Sequence, residues 1–155
     1  MGDREHLLRD AIARLETAGR VVSASSFYET EPVEFAEQAW FLNCAVGLET
    51  ALNAEELMGA MLEIERQMWR QRVQKKGPRT IDLDILLFSC SRTGDVVIDS
   101  PALTIPHPAL HQRRFVLQPL AEIAPEARHP VLKKTIRELL DALPAGQIVR
   151  KLQKA

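Results

Sequence analysis

Two aspartates lie two residues apart within residues 81–88, a segment that is otherwise wholly apolar. We predict a strand here, and alternate residues of a strand point to the same face. Asp82 and Asp84 are therefore expected to share one face, with Cα atoms roughly 6.6 Å apart. Because two neighbouring carboxylates repel each other, a positive group should lie close to them. The two candidates are divalent metal ions and the basic residues just before the strand.

A pair of carboxylates on one face suits Mg²⁺ ions that hold a polyphosphate. The alternative is a solvated pair on an exposed strand. We disfavour that alternative because the residues around Asp82 and Asp84 are apolar. Metal binding is therefore our interpretation of these two residues.

Basic residues precede the aspartates at short intervals, within a predicted loop over residues 70–80. They are Arg70, Arg72, Lys76 and Arg79. A phosphoryl-transfer site needs such charges to balance a polyphosphate and the charge that develops during transfer. A solvated basic loop is the ordinary explanation of a charge run. We weigh the two interpretations equally, since this run leads directly into the aspartates.

Four further side chains are candidates for binding a flat ring or a phosphate. Phe41 and Phe115 could stack on a ring, although isolated aromatic residues more often belong to a core. Asn43 offers donor and acceptor groups in an apolar strand, where a satisfied core amide is an equal alternative. His107 is held between two prolines and could contact a phosphate.

The overall composition excludes several classes of protein. The chain has 155 residues, enough for a core, and we predict a single domain over residues 1–155. Its net charge of −1 gives no global basic field for nucleic acid. No apolar run is long enough to span a membrane, and the two cysteines are far apart, which suits a reducing compartment. We expect a cytoplasmic protein that binds neither nucleic acid nor membrane.

Hydrophobic periodicity and capping signals predict mixed helices and strands, hence an α+β fold. The predicted helices cover residues 3–18, 109–114, 116–122 and 135–142. A further helix is predicted to begin at a capping box formed by Asn53 and Glu56. The predicted strands cover residues 21–28, 40–49 and 81–88. A short hairpin is predicted at residues 95–98, before an irregular segment at 100–108.

Together these motifs resemble the 6-hydroxymethyl-7,8-dihydropterin pyrophosphokinase family of folate biosynthesis. The resemblance runs from residue 2 to about residue 140, which leaves 141–155 as a C-terminal tail. Its most specific motif is residues 77–88, Gly-Pro-Arg-Thr-Ile-Asp-Leu-Asp-Ile-Leu-Leu-Phe. Supporting motifs are residues 25–33, Phe41-Leu42-Asn43, residues 103–108, Arg113 followed by Phe115, and residues 119–125.

The family transfers the diphosphate of ATP to the hydroxymethyl group of the pterin and releases AMP. The resemblance implies ATP as co-substrate and two Mg²⁺ ions held by Asp82 and Asp84. It implies catalysis mainly by positioning and electrostatics. The implied catalytic residues are Arg70, Arg79, Asp82 and Asp84. The implied ATP-side residues are Glu65, Arg72, Arg79, Thr104, His107 and Arg113, and the pterin-side residues are Thr30, Val33, Phe41, Asn43 and Phe115.

The resemblance also implies a ferredoxin-like sandwich with an antiparallel sheet. Family members usually begin with a strand that ends in Gly-Ser-Asn, directly before the Gly2-Asp3-Arg4 seen here, so the usual first strand is expected to be missing. An internal strand lost from a sheet leaves open backbone groups. We therefore expect a less stable protein that is a monomer or associates weakly through an open sheet edge. Two further departures are Lys76, where tryptophan is common, and Glu34, where glycine is common.

Two other functions remain open. A nucleic-acid-binding module could use the basic loop on the same fold, although the net charge and 5% aromatic content disfavour it. An inactive relic could result from the missing strand. Release of AMP from ATP in the presence of Mg²⁺ and the dihydropterin alcohol would separate the three.

Overall fold

The computed structural model describes residues 2–31, 41–74, 81–146 and 148–152. The elements are α1 (Gly2–Leu15), β1 (Arg20–Ala24), β2 (Tyr28–Thr30), β3 (Phe41–Asn43), β4 (Val46–Glu49), α2 (Ala54–Gln74), β5 (Ser89–Cys90), β6 (Gly94–Asp95), β7 (Ile98–Asp99), β8 (Thr104–Ile105), a 3₁₀ helix (Leu110–Gln112), α3 (Arg114–Ile123), α4 (Ile136–Asp141) and β9 (Val149–Lys151). The fold is α+β, as predicted. No described helix has the length and hydropathy to cross a bilayer.

The contacts between Cα atoms divide the chain into two units. The first contains Met1–Val22 and Leu48–His107, and the second contains Ser23–Gly47 and Pro108–Ala155. The described strands form four small sheets, in which β1 pairs with β4, β5 with β6, and β7 with β8, while β3, β2 and β9 form the fourth. The ferredoxin-like sandwich stays a prediction.

In the first unit, α1 packs against α2, and both helices bury apolar residues at helical spacing. The buried residues of α2 include Leu57, Met61, Ile64 and Met68. The predicted capping box at the start of α2 is confirmed. The Asn53 N–H donates to Glu56 Oε1 at 2.9 Å, and the Glu56 N–H donates to Asn53 Oδ1 at 2.8 Å.

The predicted loop over residues 70–80 is wrong in its first part, because α2 continues to Gln74. The residues after Arg70 are Gln, Arg, Val and Gln, most of which favour a helix, and no glycine or proline interrupts them. Arg70 and the backbone of Arg72 therefore lie on a helix. Residues 75–80 lie outside the described residues.

Residues 81–88, called the aspartate segment below, do not form the predicted paired strand. None of them has a strand partner among the described residues. The predicted alternation is confirmed, since Asp82 and Asp84 are exposed while Ile81, Leu83 and Ile85 are partly or fully buried. An alternating pattern fixes the face that each side chain takes, whereas a ladder also needs a neighbouring strand, which the pattern does not supply.

The predicted strands 21–28 and 40–49 each divide in two. Ser25 lies between β1 and β2, and Ala45 lies between β3 and β4. The Ser25 N–H donates to the Ala45 carbonyl at 2.8 Å, and the Ala45 N–H donates to Ser25 Oγ at 2.9 Å. A serine side chain thus takes the place of a backbone partner at the break.

The second unit contains a three-stranded antiparallel sheet in the order β3-β2-β9. Thr30 of β2 is the register partner of Phe41 on one side and of Val149 on the other. The Leu152 N–H extends the β9 pairing by donating to the Phe27 carbonyl at 2.8 Å. Residues 141–155 are therefore more than the predicted tail, since they supply the third strand of this sheet.

Helix α3 packs against all three strands of this sheet and against α4. The buried residues of the two helices include Leu117, Pro119, Leu120, Ile136 and Leu139. Helix α4, predicted over residues 135–142, begins after Thr135, which forms a capping box with Glu138. This apolar layer holds α3 against the strands that carry the predicted pterin-side residues.

Gly19 and Gly59 provide a matched test of the packing in the first unit. A Cβ atom at Gly19 would collide with the backbone carbonyl of Glu49, whereas a Cβ atom at Gly59 would have no atom within 4 Å. We expect Gly19→Ala to lower the free energy of unfolding by about 1–3 kcal/mol. Gly59→Ala, on the exposed side of α2, should raise it by about 0.5–1 kcal/mol. Urea unfolding measures both values, and equal effects of the two substitutions would contradict the packing described for Gly19.

Candidate active site

A side chain of α2 fixes the aspartate segment. The Leu83 N–H donates to Glu65 Oε2 at 2.5 Å. Because Leu83 lies between Asp82 and Asp84, this bond holds the stretch of backbone from which both carboxylates project. The structure therefore places Glu65, one of the predicted ATP-side residues, beside the two predicted metal ligands.

The three carboxylates affect one another electrostatically. Burial raises the pKa of Glu65 above its ordinary value of 4.5, and the negative charges of Asp82 and Asp84 raise it further. The hydrogen bond from Leu83 acts in the opposite direction without cancelling these effects. As far as the described residues go, the three carboxylates thus repel one another, and a cation would relieve this repulsion.

The donor set of the aspartate segment fits Mg²⁺. This ion prefers oxygen ligands and is usually held by one or two carboxylates, with water and substrate phosphates completing its shell. No group of three or more His, Cys, Asp or Glu side chains is arranged as a metal site within the described part of the chain. Asp82 and Asp84 would therefore share the ion with water and phosphate oxygens.

The expectation that apolar neighbours would keep Asp82 and Asp84 out of solvent is wrong. Both side chains are exposed, because the apolar residues between and beside them point to the other face of the segment. Exposure leaves room for a metal ion and for the phosphates of a nucleotide.

Two further predicted ATP-side residues belong to the same unit. The His107 N–H donates to the Leu86 carbonyl of the aspartate segment at 3.0 Å. Thr104 lies in β8, where its hydroxyl donates to the Ser100 carbonyl at 3.5 Å. The backbone of His107 is therefore attached to the same segment as the two aspartates.

The predicted basic group is only partly described. Arg70 is exposed on α2, and its guanidinium lies 3.9 Å from Glu63 Oε2. An exposed pair at this distance is weak, so Arg70 can exchange Glu63 for a phosphate at little cost. The side chain of Arg72 and all of Lys76 and Arg79 lie outside the described residues.

Three of the predicted pterin-side residues are neighbours in the second unit. Asn43 Nδ2 donates to Thr30 Oγ1 at 3.2 Å across β2 and β3, and Phe41 is the register partner of Thr30. Thr30 is buried, while 44% of the Phe41 surface is exposed. The bond to Thr30 uses one amide proton of Asn43 and does not involve Oδ1. Val33 lies outside the described residues.

Arg113 and Phe115 line a cavity of about 200 Å³ in the second unit. The Arg113 guanidinium carbon lies 5.6 Å from the centroid of the Phe115 ring, within the range of a cation–π contact. The other lining residues are Gln112, Arg114, Leu143, Pro144, Ala145 and Gly146. Arg114 donates to the Leu143 and Pro144 carbonyls at 3.5 and 3.3 Å, which ties the wall of residues 143–146 to α3.

Comparison with known proteins shows what this chain is related to. The profile of the 7,8-dihydro-6-hydroxymethylpterin-pyrophosphokinase (HPPK) family matches residues 1–125. The chain belongs to this family. The match includes the aspartate segment, all of α2 and all of the predicted site residues.

Relatives within the HPPK family support the assignment. The 2-amino-4-hydroxy-6-hydroxymethyldihydropteridine pyrophosphokinase of Bacillus subtilis (strain 168) is 47% identical over 125 residues, which cover 79% of this chain and 72% of the relative. The protein of the same description from Methylorubrum extorquens is 38% identical over 152 residues, or 97% of this chain and 92% of the relative. The folic acid synthesis protein fol1 of Schizosaccharomyces pombe is 39% identical over 150 residues, or 96% of this chain but only 20% of that longer protein.

Two polar features of this HPPK-family chain escaped prediction. Glu122 of α3 accepts hydrogen bonds from Ser26 and Tyr28, and Arg150 of β9 pairs with Glu29 of β2. No sequence signal identified these bonds: Glu122 is the one acidic residue of α3, but it is exposed, and an exposed carboxylate needs no protein partner.

We expect the pKa of Glu65 to fall toward 4.5 in Asp82→Asn and in Asp84→Asn, because each substitution removes a negative charge that raises it. A raised pKa in the folded state contributes stability that is present below 4.5 and is lost as pH rises through that folded-state value. As pH rises from 4.5 through the folded-state pKa of Glu65, each variant should therefore lose less stability than the wild type.

Carbon-13 NMR titration of the Glu65 carboxyl group, with EDTA present, measures the shift. Asp95→Asn is the control, since Asp95 is an exposed aspartate on β6. If the pKa of Glu65 were the same in the wild type, Asp82→Asn, Asp84→Asn and Asp95→Asn, the three carboxylates would not be coupled as described.

Proposed function

We propose that this chain transfers the diphosphate of ATP to the hydroxyl group of 6-hydroxymethyl-7,8-dihydropterin and releases AMP, a step of folate biosynthesis. The observation that carries the proposal is the exposed Asp82–Asp84 pair, fixed by Glu65, in a chain of the HPPK family. The names of the bacterial relatives support the same reaction.

The proposed reaction is a substitution at the β-phosphorus of ATP. The pterin hydroxyl oxygen forms a bond to this phosphorus, the bond between the β-phosphorus and the oxygen bridging it to the α-phosphorus breaks, and AMP leaves with that oxygen. The hydroxyl proton passes to solvent. We propose that catalysis depends on the alignment of the two substrates and on the balance of phosphate charge.

The first unit supplies most of the proposed nucleotide-side residues. Asp82 and Asp84 would hold Mg²⁺, two ions in our proposal, which when bound would neutralise phosphate charge. Arg70 and Arg79 would stabilise charge during transfer. The remaining ATP-side residues in this proposal are Glu65, Arg72, Thr104, His107 and, from the second unit, Arg113.

The second unit supplies the proposed pterin-side residues. The Phe41 and Phe115 rings would stack on the pterin, and Thr30, Val33 and Asn43 would bind its polar edge. Two observations support this assignment. Phe41 is exposed, and the bond between Asn43 and Thr30 uses the Asn43 amide nitrogen and not its Oδ1 atom. A stacked ring and an amide together select a flat heterocycle by shape and by hydrogen bonding.

Several properties stay predictions. These are the single domain over residues 1–155, the missing first strand, the monomer or weak self-association, and the lack of nucleic-acid and membrane binding. A nucleic-acid-binding module and an inactive relic remain the alternatives that the following assay tests.

Incubation with ATP, Mg²⁺ and the dihydropterin alcohol should yield AMP, because the attack is at the β-phosphorus. Asp82→Ala and Asp84→Ala should each lower kcat by about 10³-fold or more, since each removes a metal ligand. Their thermal stability should change little, because both side chains are exposed.

Asp95→Ala is the matched control and should retain wild-type kcat. Chromatography of the nucleotides distinguishes the outcomes. Pterin-dependent ADP without AMP would end this proposal, and so would wild-type activity of both aspartate variants at saturating Mg²⁺.

Arg70→Ala should lower kcat by about 10²-fold and leave the KM for ATP nearly unchanged, if this charge acts mainly in the transition state. Arg66→Ala is the control, because Arg66 lies one turn earlier on α2 and also pairs with Glu63. Steady-state kinetics with varied ATP measures both constants. A raised KM with unchanged kcat would show that Arg70 binds ground-state ATP instead.

A further inference from the structure

Glu122, near the end of α3, is joined to the start of β2 by three hydrogen bonds. One carboxylate oxygen, Oε1, accepts from the Tyr28 hydroxyl at 2.6 Å. The other, Oε2, accepts from the Ser26 N–H and the Ser26 hydroxyl, both at 3.0 Å. Both oxygens are thus committed to β2 and the residues just before it, and none of the roles proposed above involves Glu122.

The two elements joined in this way carry the proposed pterin-side residues. Phe115 lies in the first turn of α3, seven residues before Glu122, which corresponds to about 10 Å of helix. Thr30 lies two residues after Tyr28 on β2 and is bonded to Asn43. Pro119 lies between the two residues and removes one backbone hydrogen bond of the helix, but Leu117 and Leu120 on either side of it are buried and hold the helix in place. The attachment of Glu122 at one end of α3 therefore affects the position of Phe115 at the other.

The charges of this cluster suit a permanent attachment. Burial acts to raise the pKa of Glu122, but the hydrogen bonds from Tyr28 and Ser26 outweigh it, so the pKa is lowered overall. Burial, together with the bond and charge of Glu122, raises the pKa of Tyr28 to about 12. The carboxylate and the protonated phenol therefore coexist at neutral pH, and the Tyr28–Glu122 bond is charge-assisted.

We propose that Glu122 is a positioning residue for the pterin substrate. It fixes α3 against β2 and so sets the Phe115 ring relative to Thr30 and Asn43, without touching either substrate. This inference rests on the proposed function. It predicts a selective effect on the pterin, which a role in stability alone would not produce.

Glu122→Gln should raise the KM for the dihydropterin alcohol about tenfold, because it removes the charge from all three hydrogen bonds and replaces one accepting oxygen with an NH2 group. The KM for ATP should stay within about twofold. Tyr28→Phe is the milder variant, since it keeps the buried ring and removes one bond, and should raise the pterin KM about threefold. The double variant should resemble Glu122→Gln, because the two residues share a bond.

Glu126→Gln is the control, because Glu126 is an exposed acid like Glu122 but pairs with Arg137 at 2.7 Å and not with β2. It should leave both KM values unchanged. Equal increases of the pterin and ATP KM values in Glu122→Gln and Tyr28→Phe would overturn the inference in favour of a general structural role.

A second measurement does not depend on turnover. Tyr28 is the only tyrosine of the chain, so tyrosinate absorbance after stopped-flow pH jumps reports on this cluster alone. The pKa of Tyr28 should fall from about 12 in the wild type to a lower value in Glu122→Gln and stay the same in Glu126→Gln. An unchanged pKa in Glu122→Gln would show that the cluster does not exist as described.

The proposed function and this inference can fail separately. If the wild type forms AMP and Glu122→Gln has an unchanged pterin KM, only the inference fails. If the wild type forms no AMP, binding of 6-hydroxymethylpterin is followed by its fluorescence. Weaker binding by Glu122→Gln than by wild type would then support the inference, whereas equal binding, or none by either protein, would overturn it.

Discussion

The hydrogen bond from the Leu83 N–H to Glu65 is the contact on which the geometry around Asp82 and Asp84, the proposed metal ligands, depends most directly. The aspartate segment has no strand partner among the described residues, so a sheet does not fix its backbone. Single backbone bonds from His107 and Val96 hold its second half, while a side chain of α2 holds the part between the two aspartates, and that side chain is itself an acid. Its burial next to two further carboxylates is unfavourable without a cation. The same bond thus orients Asp82 and Asp84 and brings a third carboxylate close to the two proposed metal ligands.

The second unit uses acidic side chains in a different way. Glu122 and Glu29 each accept from groups on a neighbouring element, the first between α3 and β2 and the second between β2 and Arg150 of β9. Their charges are satisfied within the fold. In the first unit the exposed carboxylates of Asp82 and Asp84 leave capacity for a ligand. Among the described residues, the acids with several donors around them thus join elements of the fold, and the exposed pair is the one to which ligand binding is proposed.

Local signals in the sequence predicted the elements whose partners are near in the chain. The capping box of Asn53 and Glu56, the apolar stripe of α2 and the alternating burial around Asp82 and Asp84 all depend on residues a few positions apart. The same signals could not predict which strand lies beside which, because pairing depends on residues far along the chain. The missing ladder of the aspartate segment and the pairing of β9 are failures of this kind.

The candidate site shows the same division. The resemblance of residues 77–88 to one family identified Asp82 and Asp84, and the structure places Glu65 beside them. The tie between Glu122 and Tyr28 could not be predicted, since 94 positions separate the two residues. Glu122 is exposed on α3, where water can solvate a carboxylate, so no local pattern indicated that it would bond to another element.

The pairing of β9 with β2 has a consequence for synthesis of the protein. Arg150 and Glu29 are 121 positions apart, so the middle strand of this sheet keeps one open edge until β9 has been made. Contacts between distant segments form slowly, and chain growth adds a further delay. All residues of the first unit, the last of which is His107, can be synthesised before β9 exists to pair with β2. During that interval the nascent chain exposes a strand edge that can pair with other chains, and crowding on polysomes favours such encounters.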